Sequence, residues 1–74
     1  MKLPVVSGAE TVKALTRAGF VVVRQKGSHV RLEKETPGGV IKLTVPLHRT
    51  LKKKTLHLIL KAAGITVEEF VELL

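Results

Sequence analysis

Cysteine, tryptophan, tyrosine, aspartate and asparagine are all missing from this chain, and each absence removes a class of explanation. Without cysteine there is no disulfide framework and no thiolate metal site. The three histidines are scattered and show none of the regular spacing of zinc ligands, so no metal or other cofactor is expected. Base stacking on aromatic rings finds little support, because the two phenylalanines, Phe20 and Phe70, are needed for the core. Every acid is glutamate and there is a single methionine, a composition poor in thermolabile side chains. Long apolar runs are missing as well. Met1 to Val6 holds a lysine and a proline, and reads as neither a signal peptide nor a membrane span, so the expected location is the cytoplasm.

What the chain has in excess is positive charge. Thirteen lysines and arginines against six glutamates give a formal net charge of +7, which concentrates polyanions near the surface and speeds their association. Nucleic acid is therefore the first partner to consider. A solubilising surface, or a basic face that meets an acidic protein, is the plainer reading of the same charge. A length of 74 residues leaves room for one domain, residues 1–74, with a core of marginal size.

Local patterns supply the elements. Ser7 with Glu10 three residues on is a capping box, and Val12, Leu15 and Ala18 follow at helical spacing until Gly19 stops the helix. Phe20 to Arg24 reads as a strand, Gly27-Ser28 as a break, and His29 to Glu33 as a second strand with clean alternation. Thr36-Pro37-Gly38-Gly39 signals a turn, after which Val40 to Val45 alternates again and Pro46 ends the strand. Period two sets Val30 and Leu32 opposite His29, Arg31 and Glu33, and sets Ile41, Leu43 and Val45 opposite Lys42 and Thr44. One sheet face is apolar and the other charged. Leu56, Ile59, Leu60 and Ala63 form a helical stripe ended by Gly64, and Thr66 with Glu69 caps a short terminal helix carrying Phe70, Val71 and Leu74. The predicted fold is α+β: a two-layer sandwich of a three-stranded antiparallel sheet with helices on one face, in the order α-β-β-β-α plus a short C-terminal helix.

The chemistry centres on Gly27-Ser28-His29. Gly27 supplies a turn that needs positive φ, and Ser28 offers a hydroxyl to backbone or phosphate. His29 presents an imidazole, able to move protons near neutrality, at the start of a rigid strand. RNA is cut without a metal when a base removes the 2′-hydroxyl proton, the oxygen attacks the adjacent phosphorus, and an acid protonates the leaving 5′-oxygen. His29 suits either role, with Arg24, Lys26 or Arg31 near the phosphate; alternation puts Arg31 on the face of His29. The plainer reading is an exposed histidine that merely opens a strand. His48, in the loop after the third strand, is a structural or RNA-contacting residue, with an acid-base partnership with His29 as the sharper alternative. His57 lies off the apolar stripe and is expected in solvent. Lys52, Lys53 and Lys54 precede a helix whose dipole they oppose, which makes sense if phosphates bind there, and Arg49 adds to the patch.

Gly19-Phe20, Arg24-Gln25-Lys26-Gly27-Ser28-His29, Val45-Pro46-Leu47-His48, Thr55-Leu56 and Ile59-Leu60-Lys61-Ala62-Ala63-Gly64-Ile65 together resemble the HicA family of messenger-RNA interferase toxins. The resemblance spans most of the chain. It implies a fold similar to the double-stranded-RNA-binding domain and metal-independent cleavage of messenger RNA. It also implies a toxin of a type II toxin–antitoxin pair, neutralised by a HicB-type antitoxin. The family's catalytic histidine corresponds to His29, and His48 matches its second histidine. Lys54 stands where the family usually has glycine, a departure that bears on the entry to the second long helix and on the RNA path. Two other classes of function fit the same residues: a noncatalytic RNA-binding module, and a small adaptor for an acidic protein.

Overall fold

A computed structural model describes residues 2–74; Met1, where the amino-terminal reading begins, lies outside the described residues. The elements run α1 (Gly8–Arg17), β1 (Val21–Lys26), β2 (His29–Thr36), β3 (Gly39–Pro46), α2 (Lys53–Ala63) and α3 (Val67–Leu73). The strands form one antiparallel sheet in the order β1-β2-β3, so β1 and β3 are its edges. This is the α+β arrangement that the patterning predicts. No helix among the described residues is long and apolar enough to cross a membrane.

Ser7 starts α1 through a complete capping box. Its hydroxyl accepts from the Glu10 N–H at 3.0 Å, and the Glu10 carboxylate accepts from the Ser7 N–H at 2.9 Å. The buried stripe of α1 is Gly8, Thr11, Ala14 and Leu15, with Val12 and Ala18 packed at its margin. Thr11 is fully buried yet satisfied, because its hydroxyl donates to the Ser7 carbonyl at 2.9 Å. Gly8 lies against β3 so closely that a Cβ there would collide with the Pro46 carbonyl oxygen. A side chain at that position would push α1 off the sheet, and the stripe recentres accordingly.

Phe20 departs from the strand expected to begin there. Its N–H closes onto the Leu15 carbonyl at 3.0 Å, which carries the ring under the sheet, 2 % exposed, and β1 starts one residue later. The core gathers Val30 and Leu32 of β2, Leu43 and Val45 of β3, and Leu15, Leu56, Ile59, Leu60 and Phe70 from the helices. The helix layer covers β2 and β3: α2 packs on β3, and α1 lies between α3 and β3. All six residues of β1 remain exposed, so the first strand overhangs the core and is held by its pairing to β2. Among the described residues, no layer covers the other face of the sheet.

Candidate nucleic-acid interface

The hairpin joining β1 to β2 turns through Gly27 and Ser28, with Lys26 opposite His29 as its last pair. Gly27 takes φ 59°, as the first loop position of a II′-type connection requires, and a Cβ there would meet nothing within 4 Å. Its need for glycine is conformational, whereas that of Gly8 is steric. His29 thus starts a strand held on both sides, by Lys26 and by Pro46 of β3.

Antiparallel partners project to the same side of a sheet, so the register defines rows of neighbouring side chains on the open face. The first row is Lys26, His29 and Pro46, and the second is Arg24, Arg31 and Thr44. Neither row contains a carboxylate. Arg24 directly opposes Arg31, a like-charge pairing that destabilises a sheet unless an anion lies between the two. The third row, Val21, Glu33 and Lys42, and the fourth, Glu35 and Val40, bring in acid and apolar groups.

A β-bulge creates the cationic rows. Between Val22 and Arg24 the register shifts and Val23 has no partner on β2. In a regular ladder Val23 would oppose Arg31, and Arg24 and Lys26 would turn to the core side of the sheet. The extra residue keeps both cations beside His29.

The loop from Leu47 to Lys52 is tied down at three points. The Leu47 N–H donates to the Ser28 carbonyl at 2.6 Å, the Gly8 N–H to the His48 carbonyl at 2.9 Å, and the Leu51 N–H to the Val6 carbonyl at 2.8 Å. Leu51 is buried, while the side chains of His48, Arg49 and Thr50 stand in solvent. The Leu47–Ser28 bond brings this loop to the end of the sheet that carries His29. α2 then begins with Lys52 at its N-cap, followed by Lys53 and Lys54, with no acid in its first turn and no side-chain cap among the described residues. By contrast, α1 and α3 both start with capping boxes and acids.

The structure therefore brings Arg24, Lys26, Ser28, His29 and Arg31 together on one face and hairpin tip. It sets His48, Arg49, Lys52, Lys53 and Lys54 at the same end of the molecule, on the adjoining loop and helix start. Sequence reasoning passed over Thr44 and Lys42, although their alternation with Leu43 and Val45 already put them on the charged face. The site is an open surface: the depression lined by Gly19, Val21, Val23 and Val40 lies towards the other end of the sheet.

A comparison with curated proteins finds no match. The family model described as the HicA toxin of bacterial toxin-antitoxin matches residues 8–65, a stretch that takes in α1, the whole sheet and α2, and so every element that builds this surface. The chain belongs to the HicA toxin family.

Proposed function

We propose that this toxin is an endoribonuclease that cuts messenger RNA in the cytoplasm without a metal, with His29 as general acid or base. The observation that carries the reading is the cationic face headed by His29, in which Arg24 opposes Arg31 and Lys26 opposes His29 with no carboxylate in either row. Such a face is electrostatically unsatisfied on its own and is relieved by phosphate. Local rules are broken where a ligand makes up the difference.

In the reaction, the 2′-oxygen loses its proton to a base and bonds to the adjacent phosphorus while the bond from phosphorus to the 5′-oxygen breaks. The 5′-oxygen takes a proton from an acid, leaving a 2′,3′-cyclic phosphate and a 5′-hydroxyl. His29 handles one of these protons. Arg24, Lys26 and Arg31 stabilise the charge that builds on the phosphoryl oxygens, and Ser28 offers a hydroxyl at the hairpin tip. His48 and Arg49, on the stapled loop, and Lys52, Lys53 and Lys54 hold the flanking backbone. A toxin of this family has an antitoxin partner; we assign that partner to the HicB type, with a surface acidic enough to cover the cations.

The test is incubation of the wild type and His29→Ala with labelled messenger RNA in excess chelator, beside circular dichroism of both. Cleavage by the wild type and none by a folded His29→Ala is the expected result. A folded variant with full activity removes His29 from the mechanism. The lysine-rich, uncapped start of α2 favours a second reading, a noncatalytic RNA-binding module. Tight, salt-sensitive binding by a wild-type protein that never cuts would select it.

A further inference from the structure

The outward residues of β2 change sign along the strand: His29 and Arg31 are followed by Glu33 and Glu35. The neighbouring strands differ: β1 passes from Lys26 and Arg24 to Val21, whereas β3 brings its one outward cation, Lys42, directly opposite Glu33, so the uncompensated positive charge ends with row two. Rows one and two hold Lys26, Arg24 and Thr44, whereas rows three and four hold Val21, Lys42 and Val40 around the two glutamates. The favourable surface for an anion is thus a short stripe of two rows. It is closed at Glu33 and open at the hairpin end, where it meets the loop of His48 and Arg49.

We infer that a single RNA strand runs parallel to the β-strands over this stripe, gripped at Arg24, Arg31 and Thr44 on one side of His29 and by the loop and α2 cations on the other, with Glu33 marking where the track ends. The inference rests on the ribonuclease reading and specifies the path of its substrate. Geometry supports one strand over two. Three β-strands about 4.8 Å apart make a stripe roughly 10 Å across, and successive rows are about 7 Å apart along it. That is the scale of one phosphate backbone. A duplex presents a second backbone that needs its own line of cations, and beyond row two it would lie over Glu33 and Glu35. With no phenylalanine, tyrosine or tryptophan in any of the four rows, and His29 the one aromatic ring among them, the grip is mainly on phosphate and gives little preference among bases.

Titration of a fluorescent 2′-O-methylated RNA, which lacks the attacking hydroxyl, tests the path. It is measured as a single strand and annealed to its complement, over a series of salt concentrations. Each phosphate contact adds about 0.7 to the slope of log affinity against log salt for a single strand. Arg31→Gln should lower that slope by about 0.7, and Glu33→Lys should raise it by about 0.7. Glu33→Gln should tighten binding without adding a contact, and it guards against a lysine substitution that perturbs the sheet; melting curves confirm folding. The single strand should bind more tightly than the duplex. A wild-type protein that cleaves RNA while Arg31→Gln and Glu33→Lys leave the slope unchanged overturns the track and leaves the ribonuclease reading intact. Tighter binding of the duplex also overturns the track. A wild-type protein that neither cleaves nor binds RNA overturns the ribonuclease reading, and the track with it.

Discussion

The two ends of the sheet use their charged side chains in opposite ways. At the end away from His29, Lys34 donates to the Ala18 carbonyl at 2.8 Å, closing the C-terminus of α1, and its ammonium lies 5.7 Å from the centre of the Phe20 ring. Nearby Arg17 donates to the Leu73 carbonyl at 2.7 Å and so ties α1 to α3, while Glu69 completes the capping box of α3. Each of these charges answers a backbone group that folding would otherwise leave without a partner. At the His29 end, Arg24 faces Arg31, and three lysines crowd the positive pole of α2. One end holds the fold together, and the other keeps cations that the fold does not use. A charged residue's function is thus read from what it touches.

Substitutions in the core, at the helix caps and at the far end should cost stability, and those of the free cations at the His29 end should cost activity. The largest loss should come from Phe70→Ala, which empties a fully buried ring site between the helices and the sheet. About 3–5 kcal/mol is expected, a large share of the stability of so small a domain, measurable by urea or thermal melting. Gly8→Ala comes next, at about 1–3 kcal/mol, because its methyl would collide with the Pro46 carbonyl and displace α1 or the His48 loop. It sharpens the comparison, since it disturbs both the scaffold and the mounting of His48.

Removing either cap, by Ser7→Ala or Thr66→Ala, should cost about 1 kcal/mol. The same caps give stability an acid limb. The Ser7 backbone N–H, and after it the Ser7 hydroxyl, hold the Glu10 carboxyl below its usual 4.5, and Thr66 does the same for Glu69. A carboxyl depressed in the folded state stabilises the protein above the usual carboxylate value, and that contribution is lost as pH falls through the lowered one. Melting temperature should therefore fall as pH drops below about 4.5, and the fall should be shallower in Ser7→Ala. A wild-type acid limb in that variant would break the link to the cap.

The smallest effect on stability is the most discriminating, because it should have the reverse sign. Arg24→Gln removes a like-charge opposition and should stabilise the fold by about 0.2–1 kcal/mol while weakening RNA binding and cleavage. A variant that loses stability and keeps full activity would erase the distinction between the two ends.

Much of this layout is legible in the sequence because its determinants are local. Ser7 with Glu10 and Thr66 with Glu69 write both capping boxes within four residues, and the alternation from His29 to Glu33 separates core from charged face. Gly27-Ser28-His29 marks the hairpin tip for the same reason. What depends on distant partners is not legible. The bulge at Val23 exists only relative to β2, so the placement of Arg24 and Lys26 beside His29 is not evident from β1 alone. Gly8 looks like an ordinary first-turn residue until Pro46 is seen against it, and Phe20 reads as strand until its N–H closes onto α1. The overhang of β1 follows from where the helices settle, and three consecutive valines give no sign of it.

The chemistry of the RNA ends released in excess chelator bears most directly on the central claim, that His29 moves a proton on a face built to hold phosphate. Fragments carrying a 2′,3′-cyclic phosphate, or the monophosphate formed from it, and a 5′-hydroxyl, released by the wild type and not by folded His29→Ala, are the expected result. Fragments with a 3′-hydroxyl and a 5′-phosphate, or equal cleavage by His29→Ala, would contradict it.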